Sequence, residues 1–277
     1  MTARLIDRLA SGCDLRTVFQ PIFRLGEGEP AVVACEGLTR GGEGSNFSRP
    51  DVLFEYARRL HEEHRADWAA IEGILREAAP LPAHWRIHFN VHAATIAKDA
   101  NLAAKVVEKA RHHGIDPGRL VAEVIEHWST AVKLEDLDAG LRRFREENIA
   151  VALDDVGAGV ANLGLILFAS PSYLKIDRSL VEGVAQDPRK EAALRCLNAL
   201  AVQLGAETIV EAPATFADLD LVGRIGIRYA QGFILGKPRT AQQLLSDAPF
   251  AMSPHGPHRL NSTLPQEPQW SIRACCP

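Results

Sequence analysis

The sequence predicts an α/β chain folded as a TIM-like (β/α)8 barrel in which the first two strands form an antiparallel pair. Three observations carry that expectation. Short apolar or β-branched runs alternate with longer helical stretches, the pattern of a mostly parallel sheet wrapped by helices. Eight such runs occur, at 18–25, 31–38, 85–91, 119–126, 149–154, 172–176, 207–211 and 227–233. The span that holds them, 1–248, matches the ~250 residues usual for one barrel domain.

The first two runs, VFQPIFRL and AVVACEGL, are separated only by Gly26, Glu27, Gly28, Glu29 and Pro30. A parallel crossover needs about a dozen residues, so this pair must be a hairpin. A stripe of Val52, Leu53, Tyr56 and Leu60 then predicts an amphipathic helix before the strand WRIHFNV. Leu102, Val106 and Ala110 mark the next helix, and His112-His113-Gly114 its end, where histidine suits the negative pole and glycine a left-handed cap. The strand RLVAEVIE follows, then a helical stripe of Leu134, Leu137, Leu141 and Phe144. IAVALD and SYLKI are the fifth and sixth strands, Leu197, Leu200, Ala201 and Leu204 a further helix face, and ETIVE and IRYAQGF the last two strands. From Pro249 the text becomes proline-rich and aperiodic, so 249–277 is expected to be a mobile tail and is given no function.

The chain has 277 residues and 30.2 kDa, and its 47% apolar and 24% charged residues are those of an ordinary globular protein. A net charge of −4 and a pI near 6.2 provide no broad basic field for nucleic acid or anionic lipid, so no DNA and no membrane partner is expected. No apolar run reaches the ~18 residues of a spanning helix, and MTARLIDRLASGCDL lacks the apolar stretch of a signal peptide. The expected compartment is the cytoplasm. Five cysteines, at 13, 35, 196, 275 and 276, show no C-x-x-C spacing, which argues against a zinc knuckle or a disulfide framework.

Barrels of this kind react at the C-terminal ends of their strands. The polar residues that interrupt the apolar runs there are Glu36, Asn90, Glu123 with Glu126, Asp154 with Asp155, Lys175 with Asp177, Glu211, and Gln231. One carboxylate at a strand end is most simply a helix cap. A succession around the whole mouth is harder to explain that way. Carboxylates that share a low-dielectric site cannot all stay ionised without a counter-charge, so cations are expected among them. The donors are all oxygens, which favours Mg²⁺ or Mn²⁺ over zinc. Adjacent Asp154 and Asp155 suggest two ions at the ~3.5–4 Å spacing of two-metal phosphoester sites. The glycines of Asp-Asp-Val-Gly-Ala-Gly, 154–159, permit close approach to a ligand, while the absence of G-x-G-x-x-G and G-K-[ST] speaks against a dinucleotide fold or P-loop.

Read together, these words are familiar. Phe19-Gln20-Pro21-Ile22 is similar to the opening (Y/F)-Q-P-I of one family, Glu36-Gly37-Leu38-Thr39-Arg40 to its E-A-L-x-R, and Phe89-Asn90-Val91 to its V-N-L strand. Glu123-Val124-Ile125-Glu126 resembles E-(L/I)-T-E, Leu153-Asp154-Asp155-Val156-Gly157-Ala158-Gly159 resembles L-D-D-F-G-T-G, and Leu174-Lys175-Ile176-Asp177 is L-K-I-D. Val210-Glu211 and Gln231-Gly232-Phe233 match A-E-G-V-E and Q-G-(Y/F). In this order, over about 15–240, the chain resembles the EAL-domain family of cyclic di-GMP phosphodiesterases.

The resemblance implies metal-dependent hydrolysis of cyclic di-GMP to linear pGpG. It implies Glu36, Asn90, Glu123 and Asp154 around a first ion and Asp154, Asp155 and Glu211 around a second. Glu36, Asp155, Lys175 and Glu211 would form the catalytic set, with Lys175 directing the attacking water. Gln20, Arg40 and Gln231 match positions that contact the dinucleotide, and Glu126 and Asp177 would support the site from behind. The family also implies a homodimer, and control by a separate regulatory protein is a further expectation. The chain departs from the pattern at Gly37, Val156, Ala158, Val160-Ala161-Asn162 and Ala214. The altered loop after Asp155 and Gly37 support an alternative, a catalytically weak or inactive receptor that binds cyclic di-GMP and signals through a partner.

Overall fold

The computed structural model describes residues 15–26, 28–41, 50–125, 132–158 and 163–246. Eight strands close into a barrel in chain order: β1 (Leu15–Arg24), β2 (Ala31–Gly41), β3 (Arg86–His92), β4 (Leu120–Ile125), β5 (Ala150–Val156), β6 (Tyr173–Ile176), β7 (Glu207–Glu211) and β8 (Tyr229–Gln231). β1 and β2 are antiparallel, as their short connection demands, and β2 through β8 pair in parallel. Because β1 alone is reversed, its closure onto β8 is antiparallel too, through Phe23 opposite Ala230 and Arg24 opposite Tyr229.

Around the barrel lie α1 (Pro50–Arg59), α2 (Glu63–Ala78), α3 (Ala93–Lys98), α4 (Leu102–His112), α5 (Leu134–Glu146), α6 (Leu163–Ala169), α7 (Arg178–Val181), α8 (Pro188–Gln203), α9 (Phe216–Ile225) and α10 (Ala241–Ser246). The stripes of α4 and α5 are buried as expected at Leu102, Val106, Ala110, Leu137, Leu141 and Phe144, but Leu134 is exposed. In α1 the buried positions are Leu53 and Ala57, while Val52 and Leu60 face solvent. α8 begins nine residues before Leu197, at Pro188 behind an Asp187 cap; Leu194 and Ala201 are buried, and Leu204, just past its end, is exposed. α4 ends at His112, and Gly114 turns the chain with φ +71°, the left-handed conformation expected of it.

α2 has no counterpart among the predicted stripes. Its inner face is built largely from Ala66, Ala69, Ala70, Gly73 and Ala78, which carry little hydrophobic signal, alongside Ile71, Ile74 and Leu75. Small residues let this helix lie close to β1, β2 and β3.

Between strands and helices sits one continuous apolar core, in which Phe89 of β3 meets Phe144 of α5 with ring centroids 6.3 Å apart. Each such fully buried side chain contributes about 1.5–3 kcal/mol relative to exposure. A smaller cluster of Ile22, Ala34 and Ile209, with Tyr173 and Tyr229 against it, fills part of the barrel interior. Strand alternation places the next inward residues two positions along. Those are Glu36 after Ala34, Lys175 after Tyr173, Glu211 after Ile209 and Gln231 after Tyr229, with Gln20 two positions before Ile22 on reversed β1. An apolar layer thus underlies a charged one. Among the described residues no helix is long and apolar enough to cross a membrane.

Candidate active site

The polar layer converges on the Lys175 ammonium. Its Nζ lies 2.7 Å from Glu123 Oε2, 2.9 Å from Glu211 Oε1, 3.1 Å from Asp154 Oδ1 and 3.3 Å from Glu36 Oε2. Four strands therefore present carboxylates to one cation on a fifth. Lys175 and Glu123 are fully buried, Glu36 nearly so, and Asp154 and Glu211 are partly open toward the mouth.

The titration directions follow from this crowding. Burial pulls Lys175 down, but the charges of Asp154, Glu123, Glu211 and Glu36 more than reverse it, so the ammonium stays protonated well above the ordinary lysine range. Burial raises Glu36; the nearby ammonium and hydrogen bonds from Gln231 and Asn90 outweigh it and hold that carboxyl below its usual range. Glu211 is pushed to about 8 by burial and by its acidic neighbours despite the ammonium. Glu123 is driven well up, first by burial and then by the charge of Glu36. One ammonium does not balance this many carboxylates in a site largely closed to water.

Glu36 is fixed from both sides. Asn90 Nδ2 donates to its Oε1 at 2.7 Å and Gln231 Nε2 to its Oε2 at 2.6 Å. The ladder register brings further members of this layer side by side, with Gln20 opposite Glu36, Asn90 opposite Glu123 and Glu211 opposite Gln231. Asp154, Asp155 and Glu211 each offer a carboxylate oxygen within 4.8 Å of the others, a group able to hold a metal ion. Asp154 and Glu211 are each followed by a residue of positive φ, Asp155 at +54° and Ala212 at +47°, which turn the chain sharply at the rim.

Of the remaining predicted residues, Gln20 is buried and donates to the Gly236 carbonyl at 3.4 Å. Arg40 is partly buried; its Nη1 donates to the Thr39 carbonyl at 3.0 Å, and Glu36 is the charge that acts on it. Asp177 caps α7, its Oδ1 accepting from the Ser179 amide at 2.9 Å. Glu126 and residues 159–162 lie outside the described residues.

Two residues escaped the sequence reading. His88 Nδ1 is 2.7 Å from Glu123 Oε1, and burial together with Lys175 lowers its pKa to about 3, so the ring is neutral. His92, at the end of β3, pairs with Asp67 of α2 at 2.7 Å through its ring and at 3.0 Å through its amide. His88 shares the inward alternation of Asn90, a signal that was present in WRIHFNV but weak for a lone histidine.

A closed barrel whose C-terminal mouth gathers carboxylates around a buried lysine is a TIM-like barrel with an acidic group able to hold a cation. The family model of the EAL domain matches residues 3–238, and the chain belongs to that family. It is 32% identical over 167 residues to the bifunctional diguanylate cyclase/cyclic di-GMP phosphodiesterase MucR of Pseudomonas aeruginosa, covering 59% of this chain and 24% of that protein. Over 170 residues it is 27% identical to the cyclic di-GMP phosphodiesterase RocR of the same organism, covering 61% of this chain and 43% of RocR. The chain thus spans less than half the length of either relative. Among solved structures, Bacillus subtilis YkuI, with an EAL domain in complex with substrate cyclic di-GMP and calcium, is 27% identical with a TM-score of 0.69, covering 85% of this chain and 58% of that one. Klebsiella pneumoniae BlrP1, in a manganese and cyclic di-GMP complex, has a TM-score of 0.73 at 21% identity, with 82% and 56% covered.

Proposed function

We propose that this chain hydrolyses cyclic di-GMP to linear pGpG with two divalent cations, Mg²⁺ or Mn²⁺. The observation that carries the reading is the placement of Glu36, Glu123, Asp154 and Glu211 within 3.3 Å of one buried ammonium, an excess of negative charge that calls for further cations. The donor chemistry fits such ions: all ligands are oxygens, and Asn90 Oδ1 is buried without a hydrogen-bond partner. Glu36, Asn90, Glu123 and Asp154 would hold one ion and Asp154, Asp155 and Glu211 the other. When bound, the pair would stabilise charge on the phosphodiester and lower the pKa of water.

The chain's own groups do the rest. Arg40, beside Glu36, anchors a phosphate oxygen through its guanidinium. Lys175 is held charged and orients the attacking water from below. Gln20 and Gln231 contact the dinucleotide, and Gln231 also keeps Glu36 in place. Asp177 supports the site indirectly by capping the helix that follows β6. One water is consumed as one phosphodiester bond is cut. Action as a homodimer, control by a separate regulatory protein and a cytoplasmic setting belong to the same reading, on the family resemblance.

The test is a product assay. Purified protein is incubated with cyclic di-GMP and Mn²⁺ or Mg²⁺, and the nucleotides are separated beside a Glu36→Ala control. Wild type should yield pGpG and the variant none. Tight binding with undiminished nucleotide would replace the phosphodiesterase by the receptor reading; neither binding nor turnover would end both.

A further inference from the structure

We infer that His88 is a positioning residue for Glu123, which turns one carboxylate oxygen away from the mouth and leaves the other for the reacting side. This rests on the reading of the mouth as a cation-dependent site. His88 is 1% exposed and Glu123 0%, so neither has solvent as an alternative partner. The imidazole takes Oε1 at 2.7 Å, while Lys175 takes Oε2 at 2.7 Å. A carboxylate with a single donor can rotate about its terminal torsion, which is broad and roughly two-fold. With a partner on each oxygen it has one orientation.

The imidazole is itself held. β3 places His88 inward, two residues before Asn90, and its ring packs 5.6 Å from the Tyr173 ring. Tyr173 in turn meets Tyr229 at 6.4 Å. The aromatic layer below therefore fixes the histidine that fixes the glutamate. Whether the shared proton sits on Nδ1 or on Oε1, the same two atoms remain joined and Oε2 remains the oxygen facing Lys175. Partners of this kind behind a ligand typically contribute about 10–100-fold to metal affinity or activity.

The test uses cation binding as well as turnover. Mn²⁺ affinity is measured by calorimetry, and kcat and KM for cyclic di-GMP separately, for wild type, His88→Leu, His88→Asn and His88→Gln, with thermal unfolding as a check on folding. Asparagine can present its amide near the Nδ1 position; glutamine carries it farther out. His88→Leu should lose about 10–100-fold in Mn²⁺ affinity and in kcat with KM little changed, and His88→Asn should recover much more of both than His88→Gln. A leucine variant equal to wild type overturns the inference, as does equality of the asparagine and glutamine variants. Should the leucine variant fail to fold, the two amides decide between them. Proton NMR of the unaltered protein needs no variant: a slowly exchanging, far-downfield proton between His88 Nδ1 and Glu123 Oε1 is expected whichever atom carries it, and its absence both without and with Mg²⁺ overturns the inference. Wild type that binds no Mn²⁺ would instead sink the cation reading itself.

Discussion

Lys175 Nζ and Glu123 Oε2 meet at 2.7 Å with both residues wholly buried, and this contact anchors the charge balance of the barrel mouth. An isolated ammonium there would lose its proton; three further carboxylates within 3.3 Å keep it charged. Lys175→Met removes the only positive charge among these contacts and leaves the carboxylates uncompensated. Breaking a buried pair by deleting one partner costs about 3–5 kcal/mol. The variant should lose that much stability in the presence of a chelator, recover part of it with Mg²⁺, and show no hydrolysis. Denaturant unfolding with and without the ion measures it, and undiminished stability in chelator would refute the account.

Gly37 departs from the family alanine for a reason visible in the packing. A Cβ built there would lie 2.6 Å from Ile74 Cγ2 and 2.7 Å from its Cγ1 on α2. Gly37→Ala should therefore destabilise by about 1–3 kcal/mol through overpacking. Ile74→Ala alone should cost about 2–5 kcal/mol by opening a cavity. Together they should cost clearly less than the sum, by roughly 1 kcal/mol or more. Strict additivity in the cycle would show that the glycine answers some other need.

The barrel was legible because β1 to β8 keep short apolar runs and because a five-residue connection admits only a hairpin. The acidic mouth was legible because strand alternation puts polar residues at strand ends on one inward layer. Contacts at long sequence separation were not. Nothing local shows that Gln231 and Asn90 both donate to Glu36, and the pairing of His88 with Glu123 depends on barrel stagger. Asp177 is a similar case, since nothing in L-K-I-D announces that its carboxylate caps the helix that follows. α2 was missed because alanine and glycine form most of its buried face.

Ala212 directly follows Glu211 and occupies the family glycine's place in A-E-G-V-E, yet its φ is +47°. Its amide donates to the Gln231 carbonyl at 2.7 Å, which ties the turn to β8 and maintains that conformation. A non-glycine residue in the left-handed region costs about 1–2 kcal/mol, partly offset by the ~0.4–1 kcal/mol that glycine loses through its freer unfolded chain. Ala212→Gly should thus raise stability by about 0.5–1 kcal/mol. A higher denaturant midpoint at unchanged slope is the expected signature; a lower midpoint would show that the turn carries no such strain.

Asp218 gives the fold a pH dependence separate from the mouth. Its carboxylate accepts from the Thr215 amide at 3.1 Å and hydroxyl at 2.9 Å, the Ala185 amide at 3.0 Å and the Gly183 amide at 3.4 Å. Burial would raise its pKa, but these hydrogen bonds favour the ionised form more strongly and set it below the usual aspartate range. The folded state therefore holds this proton less tightly than the unfolded chain. Its stabilisation is complete above the unfolded value of ~3.9 and is lost as pH falls through the lower folded value. Asp218→Asn should remove about 1–3 kcal/mol at pH 7, since an amide replaces one acceptor oxygen with a donor facing amide N–H groups. Below pH ~4 the gap between variant and wild type should narrow as the wild type protonates. Urea unfolding of both proteins from pH 7 to pH 3 measures that gap, and a gap that stays constant or widens toward low pH would contradict the assignment.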